Sequence, residues 1–236
     1  MDANQELREK LVLFCRIATR EGLFKAFGHV SARVPNTGTF LMQGRRAPAL
    51  VTPTDFCVMD PDGNVIEGNA WPAAEHWIHG RIYKARPDVS SIIHNHAPMG
   101  ILLSIVGETV RTVHHTGMRF ADGVPLFEGL GLVDTLELGD QLAVTLSSHK
   151  ATLMRGHGAT VVGPTVETCC LNALALEEAA WMQVHAMSIG TPRYYTDQEK
   201  GYLVPRMSAA VSGGEGIARA WEYYRALVAG TMHADT

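Results

Sequence analysis

The sequence predicts an α/β protein in which helices flank a β-sheet. Residues 5–26 carry apolar side chains at helical spacing and predict an amphipathic first helix. From Gly28 to about Asp60, short β-like runs alternate with Pro, Gly and Asn, which predicts a meander of antiparallel strands. Helical and β-branched segments then follow one another without an internal repeat or a long linker. We therefore expect one domain over residues 1–236.

Helix and strand signals define the later elements. Trp71-Pro72 predicts a helix start, because Pro is tolerated in the first turn, and that helix runs to about Ala85. The other predicted elements are a β-branched strand over 89–96, a helix start at 97–100, a short strand over 151–155, a long helix over about 164–189 and a last helix over 217–227.

Composition limits the class of partner. The formal net charge is -4, and the basic residues are scattered among acidic ones, so neither a nucleic acid nor an anionic membrane is an expected partner. A small-molecule substrate is the better expectation. The N-terminal residues lack a signal-peptide pattern, and the 4 cysteines form no Cys-x-x-Cys pair, which suits a reducing cytoplasm. Cys169 and Cys170 are expected to be buried in a helix.

Three histidines are candidate ligands for one divalent metal ion. His94 and His96 are two residues apart in a predicted strand, so their side chains point to the same face. His157 follows another strand and is bordered by Gly156 and Gly158, which leave room around it. Taken separately, these residues are also compatible with ordinary strand and turn histidines.

Glu75 favours the metal interpretation, since it lies in an apolar setting where a carboxylate beside a cation is chemically useful. It is expected to ligate the ion or to move a proton, and His79, one turn later, is expected to be a supporting partner. Three imidazoles leave open coordination positions, as catalytic sites require. Zinc suits this ligand set best, while manganese, iron and cobalt remain alternatives.

These motifs resemble the class II aldolase/adducin family. The resemblance covers most of the chain and includes Glu75, Arg86-Pro87-Asp88, His94-Asn95-His96, His157-Gly158 and the loop Gly28-His29-Val30-Ser31-Ala32-Arg33. It implies a three-layer α/β/α sandwich around a largely antiparallel central sheet, with a metal held by the three histidines. It also implies a homotetramer with active sites at subunit interfaces.

The sequence departs from the sugar-phosphate aldolases of this family at the expected phosphate site. Those enzymes place Ser-Ser before the catalytic Glu, whereas this chain has Ala73-Ala74. Two hydroxyl donors are therefore missing, and unpaired phosphate oxygens would be costly in a closed site. Arg45 and Arg46 are candidates for holding a carboxylate instead.

The Gly28–Arg33 loop and the extended C-terminal helix are more similar to the decarboxylase branch of the family. That branch includes decarboxylases of 3,4-dihydroxyphthalate and of hydroxymethylpyridine dicarboxylate. The resemblance implies decarboxylation of a hydroxylated aromatic carboxylate or dicarboxylate, with Glu75 as proton donor. The expected substrate contacts are His29, Ser31, Arg46 and His115, the last from an adjacent subunit.

Two alternatives stay open at this point. An aldolase acting on a hydroxy-carbonyl substrate, phosphorylated or not, would use the same metal and Glu75. A non-catalytic module like the adducin heads would keep the fold for assembly. Those heads lack the metal ligands, whereas all three histidines are present here.

Overall fold

The computed structural model describes residues 3–210 and 214–230, and its centre is one eight-stranded sheet. The predicted domain 1–236 extends beyond these residues at both ends. The strands are β1 (His29–Arg33), β2 (Phe40–Gln43), β3 (Phe56–Met59), β4 (Val65–Glu67), β5 (Ser91–Asn95), β6 (Leu126–Phe127), β7 (Ala151–Met154) and β8 (Gly158–Gly163).

Strand order explains how distant motifs meet. The order is β4-β3-β2-β1-β5-β8-β7-β6, and every neighbouring pair is antiparallel except β6 and β7. The predicted meander over Gly28 to about Asp60 is present as β1 to β3, and β4 continues it beyond the predicted range. In the middle of the sheet, His94 of β5 pairs with His29 of β1 on one side and with Thr160 of β8 on the other.

Helices cover both faces of the sheet. The helices are α1 (Ala3–Arg20), α2 (His76–Ala85), α3 (Pro98–Ile105), α4 (Leu136–Leu146), α5 (Val166–Ile189), α6 (Asp197–Ala210) and α7 (Gly214–Val228). One buried apolar cluster joins the sheet to α1, α3 and α5, and a second joins the other face to α2 and α4. The predicted three-layer α/β/α sandwich around a largely antiparallel sheet is confirmed.

Packing accounts for the cysteines and the apolar segments. All four cysteines are free and buried, including Cys169 and Cys170 within α5. Each large apolar side chain that is fully buried contributes about 1.5–3 kcal/mol relative to its exposed state. Among the described residues, none of the helices combines the length and apolar character that crossing a membrane requires.

The prediction that a helix begins at Trp71 is wrong by five residues, since α2 begins at His76. The preceding segment is held by β2 instead: Pro72 forms a bridge with Gly44, and the Ala73 N–H donates to the Gln43 carbonyl. Glu75 consequently occupies the N-cap position of α2 rather than its interior. The position of the Glu75 side chain therefore depends on the contacts with the end of β2 as well as on α2.

Candidate metal centre

Two neighbouring elements bring the three predicted histidines together. His94 is in β5, and His96 follows directly after the strand, so their rings are on one face. Their Nε2 atoms are 3.1 Å apart. His157 lies in the tight turn between β7 and β8, and its ring is centred 4.9 Å from that of His94 and 5.2 Å from that of His96.

Glycines at this turn allow the close approach. Gly156 has a φ of 64°, in the left-handed region that Gly adopts at little cost. A Cβ at Gly158 would lie 2.2 Å from the Asn95 carbonyl oxygen and 3.1 Å from the His96 ring. A larger residue at position 158 would therefore push the β7–β8 turn, and His157 with it, away from β5.

Glu75 completes the cluster. Its Oε2 lies 3.5 Å from His94 Nε2 and 3.8 Å from His157 Nε2. Its Oε1 accepts a 3.0 Å hydrogen bond from the Val133 N–H. One donor atom from each of Glu75, His94, His96 and His157 lies within 4.8 Å of all the others.

This donor set fits a divalent metal ion. Two imidazole Nε2 atoms 3.1 Å apart repel one another through their lone pairs unless a proton or a cation lies between them. Three nitrogens and one carboxylate oxygen are donors that zinc and several other first-row ions accept. The described residues offer no hydrogen-bond partner to Nδ1 of His94 or His157, so these rings are oriented by packing.

The protonation states also favour a cation. Burial lowers the pKa of His94 well below 6.5, and burial and the neighbouring His157 lower that of His96, so both rings are neutral near pH 7. Burial alone would raise the pKa of Glu75. The neighbouring His29 and His94 imidazoles and the Val133 N–H outweigh that effect and lower it to about 2. The cluster therefore combines the neutral rings of His94 and His96 with an ionised carboxylate.

Comparison with known proteins identifies the family. Residues 9–184 match the family described as Class II Aldolase and Adducin N-terminal domain. This chain belongs to the class II aldolase/adducin family.

Two curated relatives are named for different activities. A 3,4-dihydroxyphthalate decarboxylase from Arthrobacter keyseri is 27% identical over 198 residues, covering 78% of this chain and 79% of the relative. A 5-methylthioribulose-1-phosphate/5-deoxyribulose-1-phosphate aldolase from Rhodospirillum rubrum is 28% identical over 188 residues, covering 79% and 84%. The family predicted from the sequence is confirmed. The predicted similarity of this chain to the decarboxylase branch of the family is also confirmed.

A solved structure supports the fold of this class II aldolase family member. An aldolase II superfamily protein from Pseudomonas syringae superimposes with a TM-score of 0.86 at 23% identity, covering 98% of this chain and 95% of the other. At that identity the likeness establishes the shared architecture only.

A row of buried polar side chains extends behind Glu75 in this family member. His29 Nε2 lies 3.9 Å from Glu75 Oε2, and its Nδ1 is 2.7 Å from His79 Nε2. His79 Nδ1 is 2.6 Å from the Ser31 hydroxyl, which lies 2.8 Å from the Tyr83 hydroxyl. His79 thus contacts His29 and Ser31, and its predicted role as a supporting partner of the site stays a prediction.

The ionised Glu75 sets the direction of these hydrogen bonds. A carboxylate only accepts protons, so the His29 Nε2 that faces it carries the hydrogen. His29 Nδ1 then accepts from His79 Nε2–H, and His79 Nδ1 accepts from the Ser31 hydroxyl. Burial lowers the pKa of His79 well below 6.5, which keeps this ring neutral and able to both donate and accept.

The remaining predicted substrate contacts lie at different distances from the cluster. Ser31 is fully buried, and its hydroxyl contacts His79 and Tyr83. Arg46 forms an ion pair of 3.0 Å with Asp55 and is half exposed. His115 is exposed and precedes the 3₁₀ helix Thr116–Phe120, and no hydrogen bond or ion pair joins its side chain to the four cluster residues.

One cavity is lined by residues next to His29 and Glu75 in the chain, and another reaches the cluster at His157. The first, of about 390 Å³, is lined by Gly28, Gly44–Ala47 and Ala73-Ala74, so Arg45 and Arg46 lie close to the residues that precede His29 and Glu75. A more open groove of about 890 Å³ reaches His157 and is lined by Ser104, Ile105, Glu128, Leu130, Leu132 and Arg155, among others. The first cavity is lined by two arginines, and the second is lined by apolar side chains together with the charged Glu128 and Arg155.

Two contacts that position residues of this site were not predicted from the sequence. The Val133 N–H holds Glu75, although Val133 lies 58 residues away with no motif around it. Glu177 of α5 accepts hydrogen bonds from the Met99 and Gly100 N–H groups at the start of α3, directly after His96. An acidic residue within an apolar stretch of α5 was the available signal for the second contact.

Proposed function

We propose that this protein is a metal-dependent carbon–carbon lyase that decarboxylates a hydroxylated aromatic carboxylate or dicarboxylate, such as 3,4-dihydroxyphthalate. The observation that carries the proposal is the convergence of three histidines and an ionised Glu75 on one point. The names of the decarboxylase relatives support the choice of reaction.

His94, His96 and His157 would hold the metal ion through their Nε2 atoms. When bound, a divalent ion supplies Lewis-acid stabilisation of the negative charge that develops as a carboxylate carbon departs. The histidine set favours zinc, with manganese, iron or cobalt as alternatives. Burial of His94 and His96 keeps them unprotonated and available as ligands at neutral pH.

The cavity beside the cluster supports a carboxylate substrate. Ala73 and Ala74 offer it no hydroxyl groups, whereas Arg45 and Arg46, the latter paired with Asp55, line it with guanidinium groups. A guanidinium group pairs well with a planar carboxylate. Arg46 and His29 would hold the retained or departing carboxylate, and Ser31 would act through His79 behind His29.

Glu75 would deliver a proton to the carbon that loses carbon dioxide. The carbon–carbon bond breaks with its electron pair left on the ring carbon, and that pair takes the proton. Because the pKa of Glu75 is lowered to about 2, the resting side chain holds no proton near pH 7. It must therefore first accept one, and the hydroxyl group of the bound substrate is the nearest chemical source.

Aldol cleavage is the second candidate function. It requires the same stabilisation of negative charge on carbon, and the aldolase relative from Rhodospirillum rubrum supports it. The two alanines before Glu75 argue against a phosphorylated substrate in this chain. An adducin-like assembly role is less well supported, since the cluster retains every candidate ligand.

We also propose that the protein forms a homotetramer in the cytoplasm, with His115 reaching the site of an adjacent subunit. Support comes from the exposed apolar groups that border the groove at His157. Ile105, Leu130 and Leu132 are 58%, 71% and 52% exposed in the single chain. Sedimentation equilibrium measures the assembly directly, and a monomer would contradict this part of the proposal.

Product analysis tests the proposed reaction. The metal-loaded protein is incubated with a panel of hydroxylated phthalates and, separately, with hydroxy-aldehyde and keto-acid substrates of aldol cleavage. We expect carbon dioxide release from the aromatic panel at a rate at least about 100-fold above the Glu75→Gln variant. Release of an aldehyde without carbon dioxide would favour the aldolase, and no turnover on either panel would contradict the lyase.

A further inference from the structure

A second cavity, of about 420 Å³, lies at the opposite end of the sheet from the metal cluster. It is lined by the last residues of β8, the residue before β7, the first turn of α5 and residues Val204 and Met207 of α6. Gly163 in its wall is five residues along β8 from Gly158, a distance of about 16 Å at the usual strand rise. A ligand held there would not touch the metal centre.

Arg119 gives this cavity a positive charge without a counter-charge. Its guanidinium group donates a 3.2 Å hydrogen bond to Asn172 Oδ1, and the Asn172 amide in turn donates to the Val162 carbonyl at 3.0 Å. Within residues 3–210 and 214–230, no carboxylate oxygen lies within 4.0 Å of this guanidinium. Burial lowers its pKa below the ordinary value. A partly desolvated cation whose only described side-chain partner is a neutral amide is costly, which favours an anion that arrives from outside the chain.

Lys150 adds a second charge at the cavity wall. Its ammonium group donates to the Arg119 carbonyl at 2.7 Å and lies 3.7 Å from an Asp122 oxygen. The third basic residue, Arg86, is already paired with Asp88 at 2.7 Å. The lining thus carries three basic groups and one acidic group, a net of +2 that Asp122 reduces to +1.

Most of the remaining lining is apolar, and its uncharged polar side chains are Ser148, Thr168 and Asn172. Met118, Val162, Val204 and Met207 face the cavity, and it has the volume of a small-molecule site. A fully hydrated inorganic anion would leave this apolar wall without a partner. We propose that this cavity binds a small organic carboxylate whose apolar body packs between α5 and α6 while its carboxylate pairs with Arg119 and Lys150.

This binding site is separate from the proposed reaction, so its test does not depend on turnover. Benzoate serves as the probe, titrated calorimetrically into the metal-loaded protein. We expect Arg119→Gln to weaken the binding of benzoate at least tenfold. The matched control is Arg219→Gln, which removes an exposed arginine on α7 outside the cavity and leaves benzoate binding unchanged.

Two further measurements distinguish the loss of the binding site from a folding defect or a change in assembly. Val204→Phe fills the apolar half of the cavity without changing its charge, and we expect it to weaken benzoate binding as well. Inorganic phosphate should bind at least tenfold more weakly than benzoate. Benzoate binding that is absent from the wild type, or that is as tight in Arg119→Gln and Val204→Phe as in the wild type, would overturn the proposal. So would a loss of assembly in Arg119→Gln with benzoate binding intact, since a second copy would then supply the carboxylate.

Discussion

His79 Nε2 lies 2.7 Å from His29 Nδ1, and through this contact a fully buried residue orients the imidazole that faces Glu75. His79 is in turn held by Ser31, whose hydroxyl also contacts Tyr83. The hydrogen bond from His79 therefore supports, from inside the protein, the same His29 tautomer that the ionised Glu75 favours. A substitution that never touches the substrate should alter the reaction through this row.

Ser31→Ala tests this relationship. It removes the group shared by His79 and Tyr83, and leaving buried polar atoms unpaired costs about 1–3 kcal/mol of unfolding free energy. We also expect a fall in kcat of about tenfold, because His29 loses its fixed tautomer. Urea denaturation and steady-state kinetics measure the two effects.

Ser91→Ala is the matched control for that variant. Ser91 is equally buried, but its hydroxyl donates to the Ser31 carbonyl, at 2.9 Å, and not to His79 or Tyr83. Its loss should cost about 0.5–1.5 kcal/mol and leave kcat unchanged. Equal effects of the two variants on kcat would show that the Ser31 hydroxyl has no positioning role.

Glu75→Gln should separate metal binding from turnover. The amide keeps an acceptor for the Val133 N–H and leaves the three imidazoles in place, so we expect about one metal ion per chain to remain bound. Loss of the proton carrier should lower kcat by about 10²–10⁴-fold. Glu67→Gln, at an exposed position in β4, is the control, and full activity in Glu75→Gln would refute the assigned role.

His94→Ala should reduce the metal content well below one ion per chain, because the buried Nε2 at the centre of the cluster is lost. Atomic emission measurements on dialysed protein give the stoichiometry. His185→Ala removes an exposed histidine of α5 and should keep the wild-type metal content. An unchanged stoichiometry in His94→Ala would mean that the ion is bound elsewhere.

Metal-free protein should lose stability as the pH falls. Burial places the pKa of both His79 and His94 well below 6.5, so the unfolded chain takes up protons near pH 6.5 while the folded protein does not. The stability that depends on these two neutral histidines is fully present above about pH 6.5 and is lost at lower pH. The unfolding free energy should fall with a slope of up to about 2.7 kcal/mol per pH unit, which corresponds to two protons.

Urea denaturation of chelator-treated protein at about pH 7.5, 6.5 and 5.5, at fixed protein concentration, measures this slope. His79→Gln should reduce it by up to about 1.4 kcal/mol per pH unit, whereas His185→Gln should leave it unchanged. An unfolding free energy that rises as the pH falls from 6.5 would contradict the buried neutral state of these histidines.

Much of the candidate site could be predicted because its signals are local. The spacing of His94 and His96 in a β-branched run requires only the alternation of strand side chains, and the glycines around His157 mark its turn. The start of α2 was predicted incorrectly because Trp71 to Glu75 obey a helical pattern locally but pair with β2, which is a tertiary contact.

Other elements left weak local signals. The sequence analysis did not predict β8, whose apolar residues follow a glycine-bordered turn, or α6, which contains Pro205 within the helix. The bond from the Val133 N–H to Glu75 uses a backbone donor that every residue except proline carries. No side-chain pattern could have indicated it, since it depends on how the segment before α4 packs.

Because the Val133 N–H holds Glu75, two separate parts of the fold position the residues of the cluster. Strand β5 and the β7–β8 turn carry the histidines. The orientation of the Glu75 carboxylate depends instead on the loop that also places Leu130 and Leu132 in the groove. Under the proposed function, a change in that loop would alter how Glu75 delivers its proton and would leave the three candidate metal ligands in place. Substitutions between β6 and α4 would then be enough to change the reaction while the sheet stays the same.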